Sequence, residues 1–150
     1  MKNFENLAQI LAFAITLEQA SYDFYVELSG RAKTEPMKKV FLDFAEQEKM
    51  HKERLLRIMG IAETVILDST HHEEIAKYVS AVPDADDMTY EKAIKTAINK
   101  EHAAMMLYQI LARLTERKEL REVLELLAVE EAHHKRLFER EYHDIMTKKN

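Results

Sequence analysis

The sequence predicts an all-α protein, an antiparallel four-helix bundle in which one long crossover joins two helical hairpins. Three observations support this fold class. The 150 residues include only 2 Gly and 2 Pro, which favours long uninterrupted helices over strands joined by tight turns. Apolar residues recur at three-to-four spacing in four long segments. The connections between those segments are short, long and short, as expected for a bundle with a single crossover.

Composition narrows the classes of protein to which the chain can belong. A chain of 150 residues is expected to form one domain, 1–150, with a well-buried core. The absence of Cys excludes disulfides, thiolate metal sites and cysteine nucleophiles, and it is compatible with the cytoplasmic location that we expect. The net charge of −5 argues against a nucleic-acid partner. No apolar run approaches the length that crosses a membrane, and 7–17 is interpreted as the start of a helix rather than as a signal peptide.

The first hairpin is predicted over about 3–60. Its first helix is expected over about 3–30, where one stripe of mainly apolar side chains continues, and Gly30 is expected to cap its end. That stripe consists of Phe4, Leu7, Leu11, Ala14, Glu18, Tyr22 and Tyr25. The second helix is expected to begin near Thr34, with a proline in its first turn, and to stop at Gly60. Its stripe consists of Phe41, Phe44, Glu48, His51, Leu55 and Ile58.

The second hairpin is predicted over about 89–146 and has the same organisation. Its first helix is expected to begin near Thr89, with a stripe of Ile94, Ala97, Ile98, Glu101, Met105 and Tyr108. The turn is expected near 114–118, a position inferred mainly from an internal repeat because no Gly or Pro marks it. The stripe of the last helix consists of Leu120, Leu124, Leu127, Glu131, His134 and Phe138.

The crossover between the hairpins is predicted over 61–88. Within it, Thr70 and Glu73 have the spacing of a capping box, which predicts a short helix over about 71–80. A connection of this length can pass from one end of a bundle to the other.

The internal repeat places carboxylates and imidazoles within the apolar stripes. A Glu-x-x-His pair begins at Glu48 and again at Glu131, 83 positions later, and the same offset aligns the neighbouring residues without a gap. The six repeat-related candidates for metal ligands are Glu18, Glu48, His51, Glu101, Glu131 and His134. Buried carboxylates are costly unless they are paired or bound to metal, and four together would repel one another and take up protons. Two metal ions resolve that conflict directly, whereas the competing interpretation assigns salt bridges with Lys49 and Lys135 at the edge of the core.

The ligand types and their positions suggest how two metal ions would be shared. Carboxylates with imidazoles suit iron, manganese or zinc, and two divalent ions would balance the four negative charges. Glu48 and Glu131 lie on the helices that also carry the histidines, so they are expected to bridge both ions. Glu18 and Glu101 are expected to bind one ion each, and each histidine is expected to give one nitrogen to one ion.

The last helix offers two overlapping Glu-x-x-His pairs. Glu131 and His134 keep both the repeat and the apolar stripe in register, whereas the alternative pair, Glu130 and His133, requires a one-residue deletion. In the chosen register Glu130 and His133 turn toward a flank of the helix.

Two repeat-related tyrosines, Tyr25 and Tyr108, lie two turns from Glu18 and Glu101 on the same helix faces. Their commoner role would be that of amphipathic core residues. The alternative role is a hydrogen bond to a carboxylate that binds metal. The other histidines are expected to be solvated, namely His71, His72, His102, His133 and His143.

Three segments resemble motifs of the rubrerythrin-like members of the ferritin-like di-iron carboxylate superfamily. They are LEQASYDFY at 17–25, FAEQEKMHKERL at 44–55 and LAVEEAHHKRLF at 127–138, and the resemblance extends over nearly the whole chain outside the crossover. It implies a ferritin-like bundle with two iron ions bound by the six repeat-related residues. The chain departs from the family pattern at Ala104, in the turn where rubrerythrins carry an additional Glu that is associated with ligand exchange.

The resemblance also implies that a diferrous centre reacts with hydrogen peroxide or dioxygen. Rubrerythrins receive electrons through a Cys-ligated iron domain, which a chain without Cys is expected to lack, so an external electron-donor protein would be needed. A non-enzymatic role in iron storage or buffering would use the same ligands, and a structural zinc ion is a third interpretation. The oligomeric state is left open, a homodimer being one form.

Overall fold

Four long helices and one short helix make up most of the structure, a computed structural model that describes residues 4–62, 65–67, 69–79, 83 and 88–148. The helices are α1 (Leu7–Ser29), α2 (Glu35–Ala62), α3 (Ser69–Ala76), α4 (Tyr90–Leu114) and α5 (Lys118–Lys148). None of these helices, within the ranges that the structure describes, is long and apolar enough to cross a bilayer.

The four long helices form the predicted antiparallel bundle. α1 packs along α2 and α4 packs along α5, while the contacts between the two hairpins, α2 with α5 and α1 with α4, are much less extensive. The beginning of α1 lies at the same end of the bundle as the end of α2, the end of α4 and the beginning of α5. Each helix is therefore antiparallel to both of its neighbours, and the crossover carries the chain back to the opposite end, as the sequence predicted.

Two clusters of buried apolar side chains fill the ends of the bundle. The first core cluster lies where α1 begins, and Leu11, Leu55, Leu111 and Leu124 are among its members. The second core cluster lies at the α1–α2 turn, and Phe24, Phe41, Ile94 and Phe138 are among its members. The middle of the bundle, between the clusters, is left for the polar residues of the apolar stripes.

α1 begins at Leu7 rather than near residue 3, so the predicted start was wrong. The carbonyl of Glu5 accepts a hydrogen bond of 3.1 Å from the peptide N–H of Leu67 in the crossover, which holds this segment extended. Asn6 then caps the helix, because its side-chain oxygen accepts a hydrogen bond of 3.0 Å from the peptide N–H of Gln9. Pairing with a distant part of the chain therefore sets the start of α1.

The two glycines have different roles. Gly30 caps α1 as predicted, and its peptide N–H donates to the carbonyl of Glu27 at 3.2 Å. Gly60 lies inside α2, which continues to Ala62, so the predicted stop at Gly60 was wrong. Ala62 is fully buried in the first core cluster, and its packing outweighs the cost of about 1 kcal/mol that Gly has relative to Ala within a helix.

The crossover contains a short helix that begins and ends earlier than predicted. α3 spans Ser69–Ala76 rather than 71–80. Its Ile75 is buried against the first core cluster, and the peptide N–H of Tyr78 donates to the carbonyl of Ile75 at 2.9 Å in the turn that follows. Residues 63–64, 68, 80–82 and 84–87 and the side chain of Thr70, with its proposed capping box, lie outside the described residues.

The second hairpin has the predicted boundaries. Thr89 caps α4, because its hydroxyl accepts a hydrogen bond of 3.1 Å from the peptide N–H of Lys92. α4 ends at Leu114, Thr115 is extended with φ −118° and ψ 136°, and α5 begins at Lys118. The repeat therefore located this turn correctly without a local Gly or Pro signal.

Candidate metal centre

Six buried polar side chains occupy the layer between the two core clusters. α1 and α4 contribute one glutamate each, and α2 and α5 each contribute one glutamate and one histidine. Their exposed fractions lie between 0 and 3%, for Glu18, Glu48, His51, Glu101, Glu131 and His134. Each residue stands within the apolar stripe of its helix, so the packing that buries the stripe also brings its polar group into the core. The structure thus brings together all six residues that the repeat singled out.

The six residues form two overlapping groups of four that could each hold an ion. Within each group, one ligand atom from every residue lies within 4.8 Å of the others. The first group is Glu18, Glu48, His51 and Glu131, and the second is Glu48, Glu101, Glu131 and His134. Glu48 and Glu131 are common to both groups, the arrangement expected of carboxylates that bridge two ions.

Both histidines direct Nδ1 toward the carboxylates. Nδ1 of His51 lies 2.7 Å from Oε1 of Glu131 and 3.6 Å from Oε2 of Glu18. Nδ1 of His134 lies 3.1 Å from Oε1 of Glu48 and 3.7 Å from Oε2 of Glu101. Each ring therefore faces a different end of the cluster.

The outward nitrogen of each ring meets an oxygen of the opposite hairpin. Nε2 of His51 lies 2.7 Å from Oε2 of Glu130, and Nε2 of His134 lies 2.7 Å from Oε1 of Gln47. Because both partners accept hydrogen bonds, each ring donates from Nε2, so Nδ1 is the nitrogen that would bind a metal ion once its own proton is lost. Sequence analysis missed both partners, although each directly precedes a glutamate of the cluster and the two are aligned by the repeat.

In α5, Glu131 and His134 lie in the cluster, while His133 is exposed. Glu130 lies on the flank, as expected, but it is not simply solvated. Its side chain is 28% exposed, and it accepts hydrogen bonds of 2.8 and 3.1 Å from Nη1 of Arg54 in addition to its contact with His51. Glu130 therefore supports the cluster from outside.

The two tyrosines combine both roles that their spacing allowed. Tyr25 and Tyr108 are buried in the core, and each hydroxyl donates a hydrogen bond to a glutamate of the other hairpin. Tyr108 donates to Oε1 of Glu18 at 2.5 Å, and Tyr25 donates to Oε1 of Glu101. Both contacts leave Oε2 of the glutamate facing the cluster.

Lys100 adds a positive charge that sequence analysis missed. Its ammonium lies 2.9 Å from Oε1 of Glu101 and 4.7 Å from the centroid of the Tyr25 ring. The lysines of the competing interpretation lie elsewhere, since Lys49 is exposed and Lys135 reaches Nδ1 of His102 at 3.2 Å. The only signal for Lys100 was its place directly before a glutamate of the cluster.

The carboxylates differ in how readily they ionise. Burial, with the neighbouring carboxylates, raises the pKa of Glu131 well above its usual range. Burial and the nearby charge of Glu48 raise the pKa of Glu18 to about 8. Burial alone would also raise the pKa of Glu101, but the Lys100 ammonium holds it well below its usual range. Without a cation, burial first and repulsion between the carboxylates second therefore favour the protonated forms of Glu18 and Glu131.

Several atoms of the cluster lack the hydrogen bonds that buried polar groups normally make. Five such atoms, each without a partner among the described residues, are Oε2 of Glu18, Nδ1 of His51, Oε2 of Glu101 and both carboxylate oxygens of Glu131. Although Nδ1 of His51 lies 2.7 Å from Glu131, the two atoms lack hydrogen-bond geometry. Lone pairs that converge in this way fit metal ions, and oxygen with imidazole nitrogen suits iron, manganese or zinc.

The remaining histidines lie outside the cluster. His102, His133 and His143 are exposed, as expected. His71 and His72 on α3 are partly buried rather than fully solvated.

A cavity of about 330 Å³ borders the cluster between α1 and α4. Its wall includes Glu18, Glu48 and Lys100, and Tyr78 and Pro83 of the crossover lie at its edge. The wall also includes Ala103, Ala104, Ser21, Thr96 and Asn99. The small side chains on α4 leave this space open, so a small molecule of mixed polarity could reach the carboxylates.

Comparison with known proteins supports the helical-bundle fold described above. The rubrerythrin family model matches residues 9–96 and, in a second match, residues 92–150. The crystal structure of a candidate ferritin-like diiron-carboxylate protein from Thermotoga maritima has the same fold, with a TM-score of 0.74, 23% sequence identity and coverage of 95% of this chain and 98% of that chain. No curated protein matches this chain significantly. With family matches that together extend from residue 9 to residue 150, the chain belongs to the rubrerythrin family.

Proposed function

We propose that this protein is a di-iron oxidoreductase that oxidises two ferrous ions with hydrogen peroxide or dioxygen and is reduced again by an external electron-donor protein. The observation that carries the proposal is a set of carboxylate and imidazole atoms, buried at the centre of the bundle, that have no hydrogen-bond partner in the part of the chain that the structure describes. Membership of the rubrerythrin family supports iron as the metal. When bound, the two ions would supply the two electrons that, with two protons, reduce one molecule of hydrogen peroxide to two of water.

The hydrogen bonds around the carboxylates suggest how each would bind metal. A tyrosine hydroxyl occupies one oxygen of Glu18 and one of Glu101, which leaves a single oxygen of each for one ion. Among the described residues, neither oxygen of Glu131 accepts a hydrogen bond, and Glu48 belongs to both groups, so these two carboxylates suit a bridging role. The histidines would each bind through Nδ1, with Nε2–H held from outside.

The cavity beside Glu18 and Glu48 offers a path for the oxidant. Lys100 on its wall carries N–H donors that can hold an oxygen atom of hydrogen peroxide close to the carboxylates. The sequence contains no Cys that could bind an electron-transfer iron through thiolates, so a separate protein would supply the electrons.

The first test is the number of metal ions. Protein loaded with Fe²⁺ without oxygen and then desalted should retain close to two ions per chain, because the six residues form two groups that share two carboxylates. Elemental analysis against protein concentration measures this ratio. Reproducible retention of one ion or none would remove the basis of the proposal.

The second test is reactivity. When diferrous protein is mixed with hydrogen peroxide, its iron should be oxidised rapidly from Fe²⁺ to Fe³⁺, two ions per peroxide. Turnover should continue only when an electron donor is added. Stopped-flow absorbance and a ferrous-iron assay measure the two phases. Oxidation without donor-dependent turnover would favour storage or buffering. Tight binding of zinc together with failure to oxidise iron would favour a structural ion.

A further inference from the structure

The two ends of the metal cluster use the same ligand types but different supporting contacts. We name them the Glu18 half-site, which contains Glu18 and His51, and the Glu101 half-site, which contains Glu101 and His134; both share the two remaining glutamates. We propose that the two half-sites differ in metal affinity, and that the Glu18 half-site binds its ion more tightly. This inference rests on the proposed two-metal function.

The first difference lies behind the histidines. The acceptor at Nε2 of His51 is the carboxylate of Glu130, whereas the acceptor at Nε2 of His134 is the neutral amide of Gln47, each at 2.7 Å. An ionised acceptor draws the N–H proton more strongly and raises electron density on the opposite nitrogen. Arg54 fixes Glu130 through contacts of 2.8 and 3.1 Å. His51 is therefore the stronger ligand.

The second difference lies beside the terminal glutamates. Glu101 has the Lys100 ammonium 2.9 Å from one oxygen, and that lysine side chain is only 9% exposed. A buried positive charge withdraws negative charge from the carboxylate and repels a cation bound to it. The repeat aligns Lys100 with Leu17, so the residue that directly precedes Glu18 carries no charge. The tyrosine contacts are alike on both sides and do not offset this difference.

Both differences come from one kind of position in the sequence. The residues that directly precede the four glutamates are Leu17, Gln47, Lys100 and Glu130. The repeat aligns Leu17 with Lys100 and Gln47 with Glu130, while Arg54 aligns with Leu137. The two halves thus keep identical ligands and differ in the residues beside them. Glu130 strengthens the Glu18 half-site and Lys100 weakens the Glu101 half-site, so both contacts favour binding at the Glu18 half-site. Together they must exceed the free energy of displacing the proton that burial favours on Glu18.

Titration with Co²⁺, a redox-stable probe, tests the inference. Calorimetry should resolve two binding steps whose dissociation constants differ by about 10- to 100-fold, the usual effect of an outer contact on metal affinity. Repulsion between two ions at equivalent positions would also give two binding steps. The location of the first ion therefore distinguishes that explanation from a difference in affinity between the half-sites. In crystals containing one equivalent of Co²⁺, anomalous scattering at the cobalt edge should place the ion in the Glu18 half-site.

Variants at the supporting positions should shift the two steps separately. Glu130→Gln should weaken the first step by about 10-fold, and Gln47→Glu should tighten the second by a similar factor. Lys100→Met should also tighten the second step, and circular dichroism of the metal-free variants checks that each is folded. Equal occupancy of both half-sites at one equivalent, or preference for the Glu101 half-site, would overturn the inference. Failure of wild-type protein to bind Co²⁺ at all would instead count against the proposed function.

Discussion

Replacement of Glu131 by glutamine should abolish binding of both metal ions. Glu131 belongs to both ligand groups, and both of its oxygens are unpartnered among the described residues, so a neutral amide removes charge and a ligand from each ion. We expect the affinity for each ion to fall by more than about 100-fold, beyond the effect of losing an outer contact. His51→Ala should mainly weaken the binding of one of the two ions. Elemental analysis after anaerobic loading with Fe²⁺ distinguishes the two results.

The metal-free Glu131→Gln protein should remain folded, because glutamine keeps the shape of the side chain and removes the ionisation that burial opposes. Glu139→Gln, an exposed change on the same helix, is the matched control and should retain two ions. If Glu130→Gln lost both ions while Glu131→Gln kept them, the second Glu-x-x-His pair would instead be Glu130 and His133.

Removal of metal should destabilise the bundle, and the resulting decrease in the free energy of unfolding should grow as the pH rises from 5 to 8. In the metal-free fold the pKa of Glu18 is raised to about 8 and that of Glu131 is raised well above its usual range. The folded chain then binds more protons than the unfolded chain, so the free energy of unfolding falls as the pH rises. His134, with its pKa raised to about 9 by the surrounding carboxylates despite burial, acts in the same direction at the upper end of this range. Glu101, with a lowered pKa, loses its stabilising effect only in acid.

Thermal melts with chelator and with added metal measure this effect. The metal-free melting temperature should fall by at least about 5 °C between pH 5.5 and pH 8. Bound metal favours the ionised carboxylates and should remove most of that fall. Glu18→Gln should flatten the metal-free profile, whereas Glu139→Gln should leave it unchanged. Melting curves that coincide with and without metal at pH 8 would contradict a buried cationic site.

Periodicity predicted the bundle because each long helix buries one continuous stripe. The errors lie where tertiary contacts act against local signals. Glu5 pairs with Leu67, which delays the start of α1, and burial of Ala62 carries α2 past Gly60. Neither contact has a signature in the nearby sequence, since each depends on a partner distant along the chain.

For the metal cluster too, local sequence patterns were informative and contacts with distant residues were not predicted. The repeat identified which six side chains meet, because polar residues within an apolar stripe must face the interior. It did not identify their neighbours. Lys100, Gln47 and Glu130 lie off the stripes, and what each one touches depends on the helix packed beside it. The tyrosines were on the stripe, but spacing within one helix does not reveal a hydrogen bond across to the other hairpin.

The tyrosine hydrogen bonds cross from one hairpin to the other, and so does every set of four candidate ligands. Tyr25 of α1 holds Glu101 of α4, while Tyr108 of α4 holds Glu18 of α1. Contacts between the two hairpins are much less extensive than contacts between the two helices of each hairpin. A single hairpin therefore carries only half of the ligands, and the one tyrosine hydroxyl that holds its terminal glutamate belongs to the other hairpin. Metal binding and association of the two halves are consequently one linked equilibrium, in which any free energy that an ion gains on binding also holds the hairpins together.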